Sequence, residues 1–181
     1  MPSGPAQFSD PLLRSKSDLY ATPRPATIAL LNHEEFPDTI LEPACGHGDI
    51  TRPLQSYGYQ VVSTDLIDYN FGIPGLDYRY EFITGCKGMI TNPPFTFCYE
   101  FILKTHQRRF LKSALLFPLR YLETLRRAEL YRLSGLTRVL VFTDRVPFII
   151  YGKPMGMVEY AWFVWERGYV GLPQVDWITW H

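Results

Sequence analysis

The sequence has few cysteines, no long apolar run and no net excess of charge. Its three cysteines, Cys45, Cys86 and Cys98, are odd in number and lack metal-ligand spacing, so neither a disulfide framework nor a metal site is expected. No stretch approaches the roughly 18 consecutive apolar residues that a membrane span needs. The N-terminal stretch also lacks a basic region followed by an apolar core. We therefore expect a reduced, cytoplasmic protein without a membrane partner.

Two common phosphate-binding signatures are missing as well. There is no GxGxxG and no Gly-Lys-Ser/Thr, so neither a dinucleotide nor a P-loop nucleotide is indicated. The glycine pair that does occur, Gly46 and Gly48, stands in a loop that begins with an acid, Glu42. Such a loop favours a ligand that is cationic or neutral at this point.

Charge is balanced overall but uneven along the chain. Residues 33–81 contain nine acids and two bases, a net charge of −7, whereas residues 104–138 contain nine bases and two acids, a net charge of +7. This asymmetry has two readings: a polyanionic partner on the basic side, or two solvated helix faces. Charge alone leaves both open.

Apolar and β-branched runs alternate with helix-compatible stretches, which predicts an α/β domain with a mainly parallel sheet. Two strands without an intervening helix predict an antiparallel pair at one edge of that sheet. The domain is expected to span residues 18–181, and the Pro-, Ser- and Gly-rich residues 1–17 are expected to form a flexible arm. The predicted strands are 39–41, 60–64, 80–84, 87–91, 113–117, 139–143 and 158–165, and the predicted helices end near 57, 110 and 133.

Polar candidate residues follow three of these strands directly. Glu42 follows the first, Asp65 the second, and Asn92 the strand that Pro93 and Pro94 end. Because ligands of open parallel sheets bind beyond the carboxyl ends of the strands, we expect these side chains to share one crevice. Asp65 is placed where it could accept hydrogen bonds from a ribose diol.

Four segments in this order carry a family resemblance: YATP at 20–23, LEPACGHGD at 41–49, STD at 63–65 and ITNPPF at 90–95. Together they resemble class I S-adenosylmethionine (SAM)-dependent methyltransferases. Within that class they are similar to gamma-type N6-adenine DNA methyltransferases of the small phage and bacterial kind. The resemblance covers about residues 18–100, and it implies a single-domain Rossmann-like methyltransferase fold with SAM as cofactor.

The resemblance also implies which residues hold SAM. Glu42 and the two glycines would line its methionine and ribose part, Asp65 its ribose hydroxyls, and the YATP segment its methionine carboxylate. Glu81-Phe82-Ile83 stands where the family has Asp-Phe-Leu beside the adenine. The implied cofactor residues are Tyr20, Thr22, Pro23, Glu42, Ala44, Gly46, Gly48, Asp65, Glu81 and Phe82.

The same resemblance implies catalytic roles for Asn92, Pro93, Pro94 and Phe95. An exocyclic amine on a purine is a poor nucleophile, because its lone pair is delocalised into the ring. Acceptors from the Asn92 side chain and the Pro93 carbonyl could take both amine hydrogens and direct the lone pair toward the methyl donor. Phe95 would stack on the base, which a duplex substrate must extrude.

The expected substrate is the N6 amine of adenine in DNA, with Arg108, Arg109, Arg126 and Arg127 as possible phosphate contacts. A first alternative is methylation of an RNA base or of a protein glutamine, since relatives with those substrates share Asn-Pro-Pro-Tyr. A second is a non-catalytic subunit that binds SAM or nucleic acid. No stretch has the length of a separate target-recognition region, so we expect either that short loops or a partner subunit supply recognition, or that the enzyme is promiscuous.

Overall fold

The computed structural model describes residues 20–150, 153–155 and 158–180, and the predicted arm at residues 1–17 lies outside these ranges. The described residues form helices on both faces of one sheet and a separate two-stranded ribbon. None of these helices is long and apolar enough to cross a membrane. The helices are α1 (Arg24–Leu31), α2 (Thr51–Ser56), α3 (Cys98–Arg108) and α4 (Leu125–Ser134); the strands are β1 (Thr39–Glu42), β2 (Gln60–Ser63), β3 (Gly88–Thr91), β4 (Lys112–Pro118), β5 (Leu136–Phe142), β6 (Phe148–Ile150), β7 (Lys153–Met155), β8 (Tyr160–Glu166) and β9 (Gln174–Ile178).

The main sheet has the strand order β2-β1-β3-β4-β8-β5-β9. Strands β2, β1, β3 and β4 are parallel, and β8 is antiparallel to both of its neighbours. The predicted α/β class with a mainly parallel sheet is therefore confirmed. Since β2 lies on one side of β1 and β3 on the other, the strand order reverses at β1, and a crevice opens at the carboxyl ends there.

The predicted strand at 80–84 is wrong. The outer edge of β2 is occupied instead by Ile73, whose N–H donates to the Ser63 carbonyl over 2.9 Å and whose carbonyl accepts from the Asp65 N–H over 3.1 Å. Farther along, Tyr78 is buried, and its hydroxyl is hydrogen-bonded to Thr105 of α3 over 3.1 Å. Residues 80–84 themselves form no strand and, apart from Ile83, are exposed.

The other end of the sheet also differs from expectation. The predicted antiparallel pair exists as β5 and β8, but β8 lies inside the sheet, between β4 and β5. The edge strand is β9, which pairs parallel to β5 and is additional to the predicted elements, as is α1. Four of the five residues of β9 are exposed, although Val175, Trp177 and Ile178 are β-branched or aromatic, so its sequence does carry a short strand signal.

Strands in the middle of the sheet are apolar on both faces because helices cover both. Helices α1 and α2 pack on one face, and α3 and α4 on the other. Trp162 of β8 is completely buried, and its indole N–H donates to the Ala26 carbonyl of α1 over 2.9 Å. That bond fixes α1, and with it the segment that leads into α1, against the sheet.

A charged cluster closes the amino ends of the strands. Buried Glu34 accepts from Lys112 over 2.5 Å and forms an ion pair with Arg138 at 3.0 Å, and Lys112 also reaches Glu166 over 3.0 Å. Burial alone would lower the pKa of Lys112, but the hydrogen bonds to the two carboxylates outweigh it and raise that pKa. The cluster is therefore a compensated set of charges at the pole opposite the crevice.

Substitution of Glu34 by Gln should destabilise the fold, because it leaves Lys112 and Arg138 without their buried counter-charge. We expect the free energy of unfolding to fall by about 2–3 kcal/mol, below the usual cost of a broken buried pair because Lys112 keeps Glu166. Chemical denaturation of both proteins measures this. The exposed neighbour variant Glu35→Gln should change the free energy of unfolding by less than about 0.5 kcal/mol. Equal effects of the two variants would contradict the role of Glu34 as the buried counter-charge.

Candidate active site

A pocket lies at the carboxyl ends of β1, β2 and β3, where the strand order reverses. The three residues predicted to share one crevice, Glu42, Asp65 and Asn92, all meet here. Loops after the three strands form its walls, and the segment before α1 closes it. Its lining residues are Tyr20, Thr22, Glu42, Ala44, Cys45, Asp49, Ile50, Asp65, Tyr69, Asn92 and Pro94.

Asp65 joins the loop after β1 to the loop after β2. Its Oδ2 atom accepts from the Gly46 N–H over 2.9 Å, and its Oδ1 atom accepts from the Ile67 N–H over 3.0 Å. Each carboxylate oxygen can accept more than one hydrogen bond. Asp65 can therefore hold the loops together and still offer acceptors to a ligand in the pocket.

The two glycines shape this loop without lining the pocket. Both have positive φ angles, 49° for Gly46 and 84° for Gly48, a conformation that favours glycine. A Cβ atom at Gly48 would overlap the Phe71 ring. Gly48 is thus required by the packing of Phe71 on the loop, whereas the sequence predicts close approach of a ligand.

Acidic groups make the pocket electronegative. The Glu42 side chain is buried, and burial raises the pKa of its carboxyl well above the usual range. The Thr91 hydroxyl lowers it in part, without reaching full hydrogen-bond geometry, while the charges of Asp65 and Asp49 raise it further. Burial likewise raises the pKa of Asp49. A cationic ligand would relieve this accumulation of carboxylates.

Neither carboxyl oxygen of Glu42 has a hydrogen-bond partner within the described part of the chain. Buried polar atoms are normally paired, so two orphaned oxygens at the wall of a pocket indicate a ligand that supplies the missing donor.

The Asn92 amide is held in one orientation at the end of β3. Its Nδ2 atom donates to the Tyr20 carbonyl over 3.2 Å and to the Thr22 hydroxyl over 3.1 Å. A backbone carbonyl can only accept, so the NH₂ group must point toward Tyr20. The Oδ1 atom is buried and has no partner among the described residues. Asn92 therefore presents an unfilled acceptor at the pocket.

The residues after Asn92 form a stiff turn. Pro94 has φ −55° and precedes a short 3-10 helix, Phe95–Phe97, which leads directly into α3. The Phe95 ring stacks on Tyr20 with 5.1 Å between ring centroids. On the other side, the Tyr121 hydroxyl donates to the Phe95 carbonyl over 3.0 Å. Contacts from two distant parts of the chain thus hold the turn.

Comparison with known proteins identifies the fold. No protein-family model and no curated protein matches this sequence. Three solved structures illustrate the similarity. A TehB-like SAM-dependent methyltransferase from Corynebacterium glutamicum is 17% identical with a TM-score of 0.53, over 79% of this chain and 87% of that one. The chain has the Rossmann-like methyltransferase fold.

A second neighbour is the 1,6-didemethyltoxoflavin-N1-methyltransferase of Burkholderia thailandensis, solved with bound S-adenosylhomocysteine. It is 16% identical with a TM-score of 0.53, over 80% of this chain and 77% of that one. The M protein of the type I restriction enzyme EcoKI is also 16% identical, with a TM-score of 0.59 over 86% of this chain and 45% of that one. This chain thus spans less than half of that M protein. At such identities the similarity concerns the fold.

Some predicted residues lie outside the pocket of this methyltransferase fold. Glu81 and Phe82 are exposed, because the strand that would carry them to the crevice does not form. The Phe82 ring lies instead 5.4 Å from the guanidinium of Arg108. Pro23 caps the start of α1, and Pro93 is buried beside the pocket without lining it.

Four lining residues are absent from the predicted set: Cys45, Asp49, Ile50 and Tyr69. The first three stand in or beside the LEPACGHGD segment, so proximity to that motif could have indicated them. Tyr69 lies in an irregular Gly- and Tyr-rich loop that carries no such signal. Burial, followed by the charges of Glu42 and Asp65, raises the pKa of the Cys45 thiol to about 12, which makes this thiol unreactive near neutral pH.

Glu42→Gln should stabilise the ligand-free protein at alkaline pH. Because the folded state raises the pKa of Glu42 above its ordinary value of 4.5, the folded protein binds this proton more tightly than the unfolded chain does. Stability therefore falls as pH rises from that ordinary value through the folded pKa. A glutamine at this position does not ionise, so the variant does not lose this stability. Its Tm should exceed that of the wild type at a pH of about 8, by roughly 2–4 °C for each kcal/mol of destabilisation that is removed.

Thermal melts at several pH values measure this difference, which should shrink toward the ordinary carboxyl pKa. The exposed carboxylate variant Glu81→Gln serves as control and should show no such pH dependence. A Glu42→Gln protein that melts below the wild type at every pH would contradict the assignment.

Proposed function

We propose that this chain is a SAM-dependent N-methyltransferase that acts on the exocyclic N6 amine of adenine in DNA. The observation that carries the proposal is the Asn92 amide. Its NH₂ group is used by Tyr20 and Thr22, and its Oδ1 atom is a buried acceptor without a partner in the described structure. An acceptor held this way, next to two prolines, suits the orientation of an amine hydrogen.

The pocket beside Asn92 fits SAM by charge. Glu42, Asp49 and Asp65 line it, and the orphaned Glu42 oxygens can accept from the ammonium or hydroxyl groups of the cofactor. When bound, SAM supplies a methyl group on a positively charged sulfur. The fold is shared with an enzyme solved with S-adenosylhomocysteine, which supports the same choice of cofactor.

The chain's own groups suffice to orient the amine. Asn92 Oδ1 accepts one amine hydrogen, and the Pro93 carbonyl, the next acceptor along the chain, takes the other. Both bonds draw the nitrogen out of conjugation with the ring, so its lone pair becomes available for attack. The rings of Pro93 and Pro94 fix two φ angles and keep these acceptors in place. The amine loses its proton after attack, so no strong base is needed.

An aromatic amine suits the site better than the amide of a glutamine side chain. Tyr20 lines the pocket directly beside Asn92, and Phe95 packs behind it against Tyr20 and Tyr160. Planar rings bind a planar base by stacking, which contributes about 1–3 kcal/mol per base. The DNA substrate is supported by the basic segment 104–138 and by the fold shared with a type I restriction enzyme M protein.

Methyl transfer from radiolabelled SAM to unmethylated genomic DNA, total RNA and a protein extract tests the proposal. We expect label in DNA, recovered as N6-methyladenine after digestion. Asn92→Ala should lower kcat by about 10²–10³, the usual effect of removing one hydrogen bond that orients a reacting group. Its affinity for SAM should fall by less than its kcat does, because Glu42, Asp49 and Asp65 still line the pocket. The exposed Asn32→Ala serves as control and should retain full activity.

Label in RNA or protein that disappears with Asn92→Ala would replace DNA by that substrate. Absence of label from every pool, with SAM still bound, would contradict catalysis by this chain alone. The chain would then be a binding subunit that needs a partner.

A further inference from the structure

We infer that a nucleic-acid strand contacts this protein through Arg126 and Arg127, at the start of α4, and not through Arg108 and Arg109, at the end of α3. This assignment rests on the proposed function and specifies the surface that its substrate uses. We call Arg126 and Arg127 the α4 arginine pair. All four side chains are equivalent candidates in the sequence, and the fold separates them.

The α4 arginine pair borders the turn that follows Asn92. The Arg127 guanidinium lies 4.1 Å from the centre of the Tyr121 ring. The hydroxyl of that same tyrosine donates to the Phe95 carbonyl over 3.0 Å. The Arg126 guanidinium lies 3.8 Å from the centre of the Tyr99 ring, four residues beyond Phe95. Each arginine is therefore one side chain away from the turn.

Both guanidinium groups are arranged for binding an anion. Each lies over an aromatic ring, which restricts a long flexible side chain. Arg127 Nη1 also donates to the Arg120 carbonyl over 3.4 Å, a long bond at an exposed position that leaves the other N–H groups of Arg127 available. Arg126 is exposed, Arg127 is half-buried, and no ion pair to either occurs in the described part of the chain. Arginine beside aromatic rings is the combination with which proteins hold single-stranded nucleic acid, through phosphates and stacked bases.

Arg79 shows what distinguishes the pair from other arginines near the turn. Its guanidinium lies 3.7 Å from the centre of the Phe97 ring, a similar arrangement. Asp77, however, accepts from it over 2.6 Å, and the pKa of Asp77 is lowered chiefly by that hydrogen bond. The charge of Arg79 is thus already compensated within the protein.

Arg108 has a structural role. Its Nε and Nη1 atoms are buried without partners among the described residues, and its Nη2 atom donates to the Tyr78 carbonyl over 3.3 Å. The guanidinium lies 4.5 Å from the centre of the Tyr78 ring, and burial lowers its pKa. These contacts pack the 77–80 segment on α3 and direct the charge inward.

Arg109 faces the opposite pole of the molecule. It follows α3, whose 11 residues place it about 16 Å along the helix axis from the turn at Phe95–Phe97. There it lines a separate cavity of about 260 Å³ together with Glu166 and Arg167, at the amino ends of β4 and β5. A strand whose base reaches Asn92 meets the α4 arginine pair before it could reach Arg109.

Two double variants that remove equal charge test this assignment. Arg126→Gln with Arg127→Gln removes the α4 pair. Arg109→Gln with Arg132→Gln removes two exposed arginines at the far ends of α3 and α4. Binding of a short adenine-containing oligonucleotide, single-stranded and as a duplex, is measured by fluorescence anisotropy between about 50 and 200 mM salt. Calorimetry measures the SAM affinity of each protein in parallel.

We expect loss of the α4 pair to weaken oligonucleotide binding about tenfold at low salt and to reduce the salt slope by about 1–2, the value for one to two phosphates. The control double variant should stay within about threefold of the wild type. SAM affinity should be unchanged in both. Arg126→Gln alone, at an exposed position, should shift binding in the same direction if the double variant melts early.

Equal weakening by the two double variants, or a larger effect of the far pair, would overturn the assignment. If the double variant without the α4 arginine pair binds and methylates nucleic acid as well as the wild type does, the proposed surface is overturned and the proposed function stands. A wild type that binds SAM but no nucleic acid, and labels only protein, overturns both.

Discussion

The Asn92 amide is the contact on which the rest of the site depends. It holds the segment before α1 against the end of β3, through bonds of 3.2 Å to the Tyr20 carbonyl and 3.1 Å to the Thr22 hydroxyl. The same bonds direct Oδ1 away from Tyr20 and leave it unpaired. One side chain thereby closes the pocket, places the Tyr20 ring on Phe95 and presents the acceptor. Because Trp162 anchors α1 to the sheet, the position of this segment is fixed from both ends.

The site leaves buried polar atoms without hydrogen-bond partners, and this destabilises the ligand-free protein. Glu42 keeps a buried carboxyl without a hydrogen-bond partner, and Asn92 keeps a buried carbonyl in the same state. Groups of this kind destabilise a fold by about 1–3 kcal/mol each when nothing fills them. Both of these groups lie at the crevice. At the opposite pole, Glu34 and Lys112 compensate each other's charge. One end contributes stability, and the other is arranged for a ligand.

Much of the fold and part of the site follow from sequence pattern. Strands β1, β3 and β4 are buried and apolar, so their runs mark them clearly, and prolines end β3 at a definite residue. Strand β9 is short and exposed, and its apolar residues Val175, Trp177 and Ile178 do not by themselves distinguish an edge strand from a surface segment. The strand expected at 80–84 does not form: Tyr78, just before it, packs on α3, and most of 80–84 is exposed.

The motifs bring Glu42, Asp65 and Asn92 together because the carboxyl ends of parallel strands meet at one edge. The position of Tyr69 depends on the path of its loop. The separation of the α4 arginine pair from Arg108 and Arg109 depends on the length and packing of the helices. A motif encodes neither.

The acidic segment and one part of the basic segment lie near each other at this edge of the sheet. Acidic residues follow β1 and β2 and line the pocket, whereas the arginines at the start of α4 lie beyond the turn at Phe95. In the proposed function, a cationic cofactor and a polyanionic strand must approach one another without exchanging sites. Carboxylates repel phosphates and arginines repel a sulfonium, so each surface accepts one ligand and rejects the other. Asn92 stands between them, at the place where the base of one ligand would meet the methyl group of the other.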